Sequence, residues 1–197
     1  MNRLKTTPSN KNIEFWIIGG IGLLLIVIFI VLLQFTGETN TSSGGLAIGT
    51  NAPLFSLDSN QNKKITLDDY KDKPLLLYFN EGVGCQPCWQ QIISLEQDPR
   101  FTNLALTLVT ITPDQLSSWK PILDNNQIKS PILSDTDNAV SRSYGMLTMK
   151  SSMHGGVKPG HTFVLLDQDH TVQWIGDYPT MNASVDEIVQ VVQEKLK

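Results

Sequence analysis

PLLLYFNEGVGCQPCWQQIISLEQ, Pro74 to Gln97, is the stretch that decides the fold. Pro74–Phe79 is a continuous apolar run, the pattern of a central strand covered on both faces. A glycine-containing turn, NEGVG, follows, and then CQPCWQQIISLEQ, in which Trp89, Ile92, Ile93 and Leu95 suit the buried face of a helix. Both cysteines of the chain, Cys85 and Cys88, therefore fall at a strand-to-helix junction. Residues three apart share one face of a helix, close enough to form a reducible disulfide. The first of them meets unpaired backbone N–H groups and the positive end of the helix dipole, which favours its thiolate. Pro87 is compatible with a first helical turn, where a backbone N–H has no partner to lose.

This geometry predicts a mechanism: Cys85 attacks a substrate disulfide, and Cys88, one turn further in, resolves the mixed disulfide. A purely structural bridge closes too short a loop to constrain the unfolded chain much. Structural zinc needs two further Cys or His ligands at suitable spacing. There is no second C-x-x-C, and His154, His161 and His170 are not spaced as a ligand pair. Two inert buried thiols leave the strand–glycine–helix context unexplained. Redox chemistry is the reading this context favours.

Working outward, the pattern alternates. PLFSLDS (Pro53–Ser59) and KKITL (Lys63–Leu67) read as short strands, and LDDY (Leu67–Tyr70) as a helical turn. LALTLVTIT (Leu104–Thr112) is a second buried strand, and Pro113 and Asp114 open a helix running to about Asn125. PILSD (Pro131–Asp135) is a strand and DNAVSRSYG a helix that ends at Gly145. HTFVLLD and TVQWIG form a hairpin, and Ser184 caps a final helix with Val185, Ile188, Val189, Val192 and Leu196 on one face. Strands alternating with helices describe an α/β fold with a mixed central sheet.

The apolar residues are unevenly placed. Trp16–Leu33 contains eighteen residues without a charge or a proline; Arg3, Lys5 and Lys11 precede it and no Lys or Arg follows before Lys63. Residues 13–35 are thus expected to form a transmembrane anchor, with residues 1–12 cytoplasmic and the rest outside the cell membrane. A cleaved signal peptide has a shorter apolar core and a small-x-small cleavage site, absent here. Residues 36–47, rich in Thr, Ser and Gly, read as a flexible linker, and residues 48–197 as one domain. The chain carries 41% hydrophobic and 17% charged residues, with a mean hydropathy of −0.08, which excludes a disordered chain and a polytopic membrane protein. Beyond residue 35 there are 12 Lys/Arg against 18 Asp/Glu, a charge of −6 with no basic stretch, so nucleic acid is not an expected partner.

From about Ile48 to Lys197 the chain resembles thioredoxin-fold proteins of the redoxin group, AhpC/TSA and TlpA/ResA-like. The resemblance rests on NAPLFSLD, ITLDDYKDKPLLLYF, CQPCW, ILSDTDNAVSRSYGM and HTFVLLDQDHTV. It implies a thioredoxin fold with an added N-terminal β-hairpin and a redox-active Cys85/Cys88 pair needing no organic cofactor. Its expected partners are protein disulfides or dithiols and a membrane electron-transfer protein. It also implies a cis-proline beside the cysteines. Pro159, in VKPGHTF, is the candidate, one residue early, with Gly160 at the expected place. The turn before Cys85 is one residue longer than in relatives, and Tyr78 or Phe79 stands where a thioredoxin has a buried acid. Glu81 is a candidate proton acceptor for Cys88, although a solvated loop carboxylate is the plainer reading.

Two alternatives accompany this reading. Redoxin-type peroxidases carry Pro-x-x-x-Thr-x-x-Cys plus a distant Arg to position peroxide; counted back from Cys88, those places hold Glu81 and Cys85, and from Cys85, Tyr78 and Gly82. Thiol peroxidase activity, with an antioxidant role, is therefore the alternative function. Met146, Met149, Met153 and His154 supply soft ligands that, near the cysteines, suit a Cu(I) chaperone. Core packing and a loop account for them more simply.

Overall fold

The structure, a computed structural model, describes residues 45–197. Expectations about residues 1–12, the 13–35 anchor and most of the linker lie outside it. Among the described residues no helix is long and apolar enough to cross a membrane.

Seven strands form one sheet: β1 (Ser56–Ser59), β2 (Lys64–Thr66), β3 (Leu75–Phe79), β4 (Thr107–Thr112), β5 (Ile132–Ser134), β6 (Thr162–Leu166) and β7 (Val172–Asp177). Their order is β2-β1-β5-β4-β3-β6-β7. β3, β4 and β5 run parallel, while β1, β2, β6 and β7 add antiparallel pairings at the flanks. This is the mixed sheet that the alternation predicts, with the N-terminal hairpin that the resemblance implies. β3 is buried along its whole length, so its continuous apolar character is a consequence of having cover on both faces.

The pleat of β3 sorts the core into two. Leu75, Leu77 and Phe79 join Val109, Ile111, Val164 and Leu166 on one face, covered by Phe55, Ile65, Leu67, Val140, Tyr144 and Met146. Leu76 and Tyr78 join Leu108, Phe163 and Leu165 on the other, covered by Ile92, Leu95, Trp119, Ile188, Val189 and Val192. Helices α1 (Gln86–Gln97), α3 (Leu116–Asn126) and α5 (Val185–Lys195) thus lie over the second face. The short α4 (Ala139–Ser143) and the 3-10 turn Met146–Thr148 lie over the first, and α2 (Pro99–Thr102) follows α1 directly.

Two boundaries differ from expectation for identifiable reasons. The helix after β4 starts at Leu116 with Gln115 at its N-cap, not at Pro113–Asp114. Asp114 is engaged elsewhere: its carboxylate accepts the Val83 N–H at 2.6 Å. Ser184 occupies the N-cap of α5, but its side chain makes no capping hydrogen bond. The DNAVSRSYG helix is shortened to five residues because Asp135 draws the Val140 and Ser141 N–H groups onto its carboxylate and Asn138 adopts φ 55°.

Because Leu77 is fully buried in the central strand and Leu54 is 76% exposed, truncating each to Ala must have unequal effects. Urea unfolding is expected to show a loss of about 2–5 kcal/mol for Leu77→Ala and within about 0.5 kcal/mol of none for Leu54→Ala.

Candidate active site

The turn from β3 into α1 is built from backbone donors that find side-chain partners. The Asn80 N–H closes the sheet on the Ile111 carbonyl at 3.2 Å, and Asn80 Oδ1 accepts the Gly82 N–H at 2.9 Å. Gly82 has φ +109°, and a Cβ there would sit on the Asp114 carboxylate, so glycine is the residue this turn admits. The Cys85 N–H donates to the Gly82 carbonyl at 3.1 Å, delivering Cys85 to the N-cap of α1 with Pro87 in the first turn.

Cys85 and Cys88 are joined by a disulfide, with Cα atoms 5.2 Å apart. The Cys88 N–H is shared between the Cys85 carbonyl, at 3.0 Å, and Cys85 Sγ, at 3.2 Å, so the first sulfur takes part in capping the helix. Cys85 retains 5% exposure and Cys88 none, so both are buried and Cys85 is the less enclosed of the two.

Beneath the cysteines lies a polar cluster that the sequence does not advertise. Tyr78 Oη donates to the Cys88 carbonyl at 3.3 Å and is 2.9 Å from His161 Nδ1. Tyr78 stacks on Phe163, whose ring also meets His161 edge-on. Burial, and secondarily the charge of Glu81, pushes the Tyr78 phenol well above its ordinary range. Burial pushes His161 down to about 4, so its imidazole is neutral near pH 7. His161 is placed by its backbone: its N–H donates to Ser151 Oγ at 3.0 Å and its carbonyl accepts the Tyr178 N–H at 2.9 Å. Ser151 is itself held by Asp177 and Thr162.

Glu81 is half-buried, and its Oε2 is fully buried without a hydrogen-bond partner, unlike a solvated loop carboxylate. Pro159 is buried, and no peptide bond among the described residues is cis; the cis backbone implied by the resemblance is absent. The adjacent Lys158 reaches the Glu81 carbonyl at 3.4 Å, setting this segment against the loop that leads to Cys85. Gly160 admits no side chain, because a Cβ would lie on the Ser151 carbonyl.

The copper set is not assembled. Met146 and Met149 pack in the core on the sheet face opposite α1, and His154 is exposed in a turn. Nor, among the described residues, does an arginine accompany the cysteines. Arg100 follows the far end of α1, about 18 Å along a twelve-residue helix, and pairs with Asp98 and Asp186. Arg142 belongs to α4, over the other face.

Residues 48–175 match the AhpC/TSA family model. The chain belongs to the AhpC/TSA family. A Thermoplasma volcanium peroxiredoxin is 26% identical over 156 residues, 75% of this chain and 74% of its own. The chloroplastic peroxiredoxin Q of Oryza sativa subsp. japonica is 24% identical over 141 residues, 71% of this chain and 63% of its own. In fold the chain is similar to a cysteine-to-serine mutant of Xylella fastidiosa PrxQ, with a TM-score of 0.66 at 16% identity over 77% of this chain and 98% of that one. Family membership makes the protein a redox enzyme of the oxidoreductase class. Its relatives are peroxiredoxins, which speaks for the peroxidase alternative over the anchored disulfide oxidoreductase.

His161 makes the fold acid-sensitive in a defined window. Between pH of about 6.5 and about 4 the unfolded chain binds a proton that the folded chain refuses, so stability falls as pH falls, by up to about 3 kcal/mol. Urea unfolding across that range is expected to show this slope in the wild type and a flatter one in His161→Gln; identical slopes would overturn the assignment.

Proposed function

We propose that the protein is a thiol-dependent peroxidase whose Cys85/Cys88 pair cycles between dithiol and disulfide. The observation that carries the cycle is the N-cap sulfur of Cys85, held by the Cys88 N–H, with the buried second sulfur already within bonding reach. The peroxide half is supported by the peroxiredoxin relatives. The Cys85 thiolate attacks one peroxide oxygen, the O–O bond breaks, and an alkoxide or hydroxide leaves, taking a proton from solvent to become alcohol or water, which gives a sulfenic acid. The Cys88 thiolate then attacks Cys85 Sγ, the S–O bond breaks, hydroxide leaves as water, and the disulfide forms. An external dithiol reduces it and completes the cycle.

A second reading, exchange with protein disulfides, is favoured by a specific feature: counted back from the attacking Cys85, Gly82 and Tyr78 occupy the places of the peroxidase Thr and Pro, and neither Arg100 nor Arg142 accompanies the cysteines. A pocket lined by Pro87, Gln90, Ser94, Met181 and Asn182 opens on the helix that carries the cysteines, although neither cysteine lines it. Pro159, adjoining the loop before Cys85, would border the approach in either reading. The sequence of residues 13–35 supports attachment to the cell membrane with the domain outside the cytoplasm. The reductant would then be an extracytoplasmic or membrane-borne dithiol.

Stopped-flow hydrogen peroxide consumption and insulin reduction, measured on wild type, Cys85→Ser and Cys88→Ser, decide between the readings. Peroxide turnover well above that of a free thiol, falling about a hundredfold or more in Cys85→Ser, is expected. Insulin reduction with peroxide turnover no faster than free thiol would install the second reading. Absence of both would overturn the redox role.

A further inference from the structure

The loop and helix around Cys85 explain how its sulfur is reached, but not why a phenol and an imidazole are sealed beneath Cys88. Both are fully buried, in a core cluster otherwise dominated by aliphatic and aromatic carbon. Burying two such groups is unfavourable unless their hydrogen bonds are made. The partners they have are each other and the Cys88 carbonyl.

Tyr78 Oη, with one proton, faces the Cys88 carbonyl at 3.3 Å and the His161 ring, whose Nδ1 is 2.9 Å and Nε2 3.2 Å away. With the Tyr78 proton on the carbonyl, the tautomer that completes the set carries its proton on the ring nitrogen facing Tyr78 and donates it. The chain then runs His161 N–H to Tyr78 O–H to Cys88 C=O. It ends on the residue whose own N–H caps Cys85 Sγ at 3.2 Å.

We propose that Tyr78 and His161 are positioning residues of the redox centre: their buried hydrogen-bond chain holds the first turn of α1 so that the Cys88 N–H stays on Cys85 Sγ once the disulfide opens. The inference rests on the Cys85/Cys88 redox reading. Neither side chain exchanges a proton or an electron with substrate. They act through backbone orientation, keeping a dipole aimed at the sulfur that must bear negative charge. The backbone of His161 is clamped to suit this role, by Ser151 on one side and Tyr178 on the other. The titratable and charged groups around the pair are Glu81, whose carboxylate acts on Tyr78 from the loop after β3; Lys158, which reaches the Glu81 carbonyl; Tyr178, edge-on to the His161 ring at 6.3 Å; and Asp177, which holds Ser151.

The test is the pH titration of the Cys85 thiolate in the reduced full chain, followed by iodoacetamide alkylation with Cys88 replaced by Ser throughout. Tyr78→Phe and His161→Phe are expected to raise the midpoint by about half a unit or more, a roughly threefold loss of thiolate at a pH below the midpoint. The double variant should move it no further than the larger single change. His161→Gln, which keeps an N–H donor, should restore most of the shift, and Glu81→Gln distinguishes loss of a nearby charge from loss of orientation by lowering the midpoint instead. Midpoints unchanged in both Phe variants, with only thermal stability reduced, would overturn the proposal and leave the pair a structural filler. Should Tyr78→Phe fail to fold, the His161→Phe and His161→Gln comparison decides alone. Loss of peroxide and insulin activities as a test of Cys85 is a separate measurement: the midpoint belongs to the thiol whether or not the protein turns over substrate, so failure of the redox reading and failure of the positioning role are distinguishable.

Discussion

Everything about the site depends on how the backbone leaves β3. The strand ends against Ile111 at Asn80, and α1 must begin at Gln86 with its first N–H groups still in need of acceptors. Asn80 Oδ1 takes the Gly82 N–H, Asp114 takes that of Val83, and the carbonyl and the sulfur of Cys85 share that of Cys88. The last of these is where structure becomes chemistry. A sulfur that shares a donor at the start of a helix sits where a negative charge is stabilised, so the turn that closes the helix also activates the thiol.

Below that turn, the second face of the sheet carries Thr110 and Tyr78 side by side in register, with Phe163 next across β6. Polar atoms this deep are costly when unpaired; the Thr110 hydroxyl has no partner, while Tyr78 and His161 are tied into bonds that reach the cysteine helix. His161 remains uncharged because no counterion accompanies it and burial dominates its ionisation. The arrangement is stiff rather than responsive near neutral pH. Its acid sensitivity is a consequence of burial.

Kinship and local chemistry carry different information in this chain. The AhpC/TSA match covers residues 48–175, and the peroxiredoxin relatives share that scaffold. Yet counted back from Cys85, the positions that would hold the peroxide in the pattern typical of such peroxidases carry Tyr78 and Gly82, and the two described arginines are engaged elsewhere. A common fold delivers a cysteine to a helix N-terminus; what meets that cysteine is set by a handful of side chains that can change without disturbing the sheet.

The strands, the helix that bears the cysteines and the final hairpin were legible in the sequence because burial on one or two faces leaves a period that apolar residues must follow. So was the C-x-x-C, since three residues along a helix bring two sulfurs together whatever surrounds them. Helix starts were less legible: Asp114 reads as a cap and is instead consumed by Val83, a partner 31 positions away. The same holds for Tyr78, which the resemblance places where a thioredoxin has a buried acid without naming a partner, and for His161, whose spacing from the other histidines says nothing of what it meets. Their meeting requires β3 and β6 to pair, 83 residues apart, and only that pairing puts a phenol between an imidazole and the Cys88 carbonyl. Local periodicity determined the elements and the thiol pair; long-range strand pairing decided what lies beneath them, because a hydrogen-bond partner brought from a distant segment leaves no mark on the residues next to it in the chain.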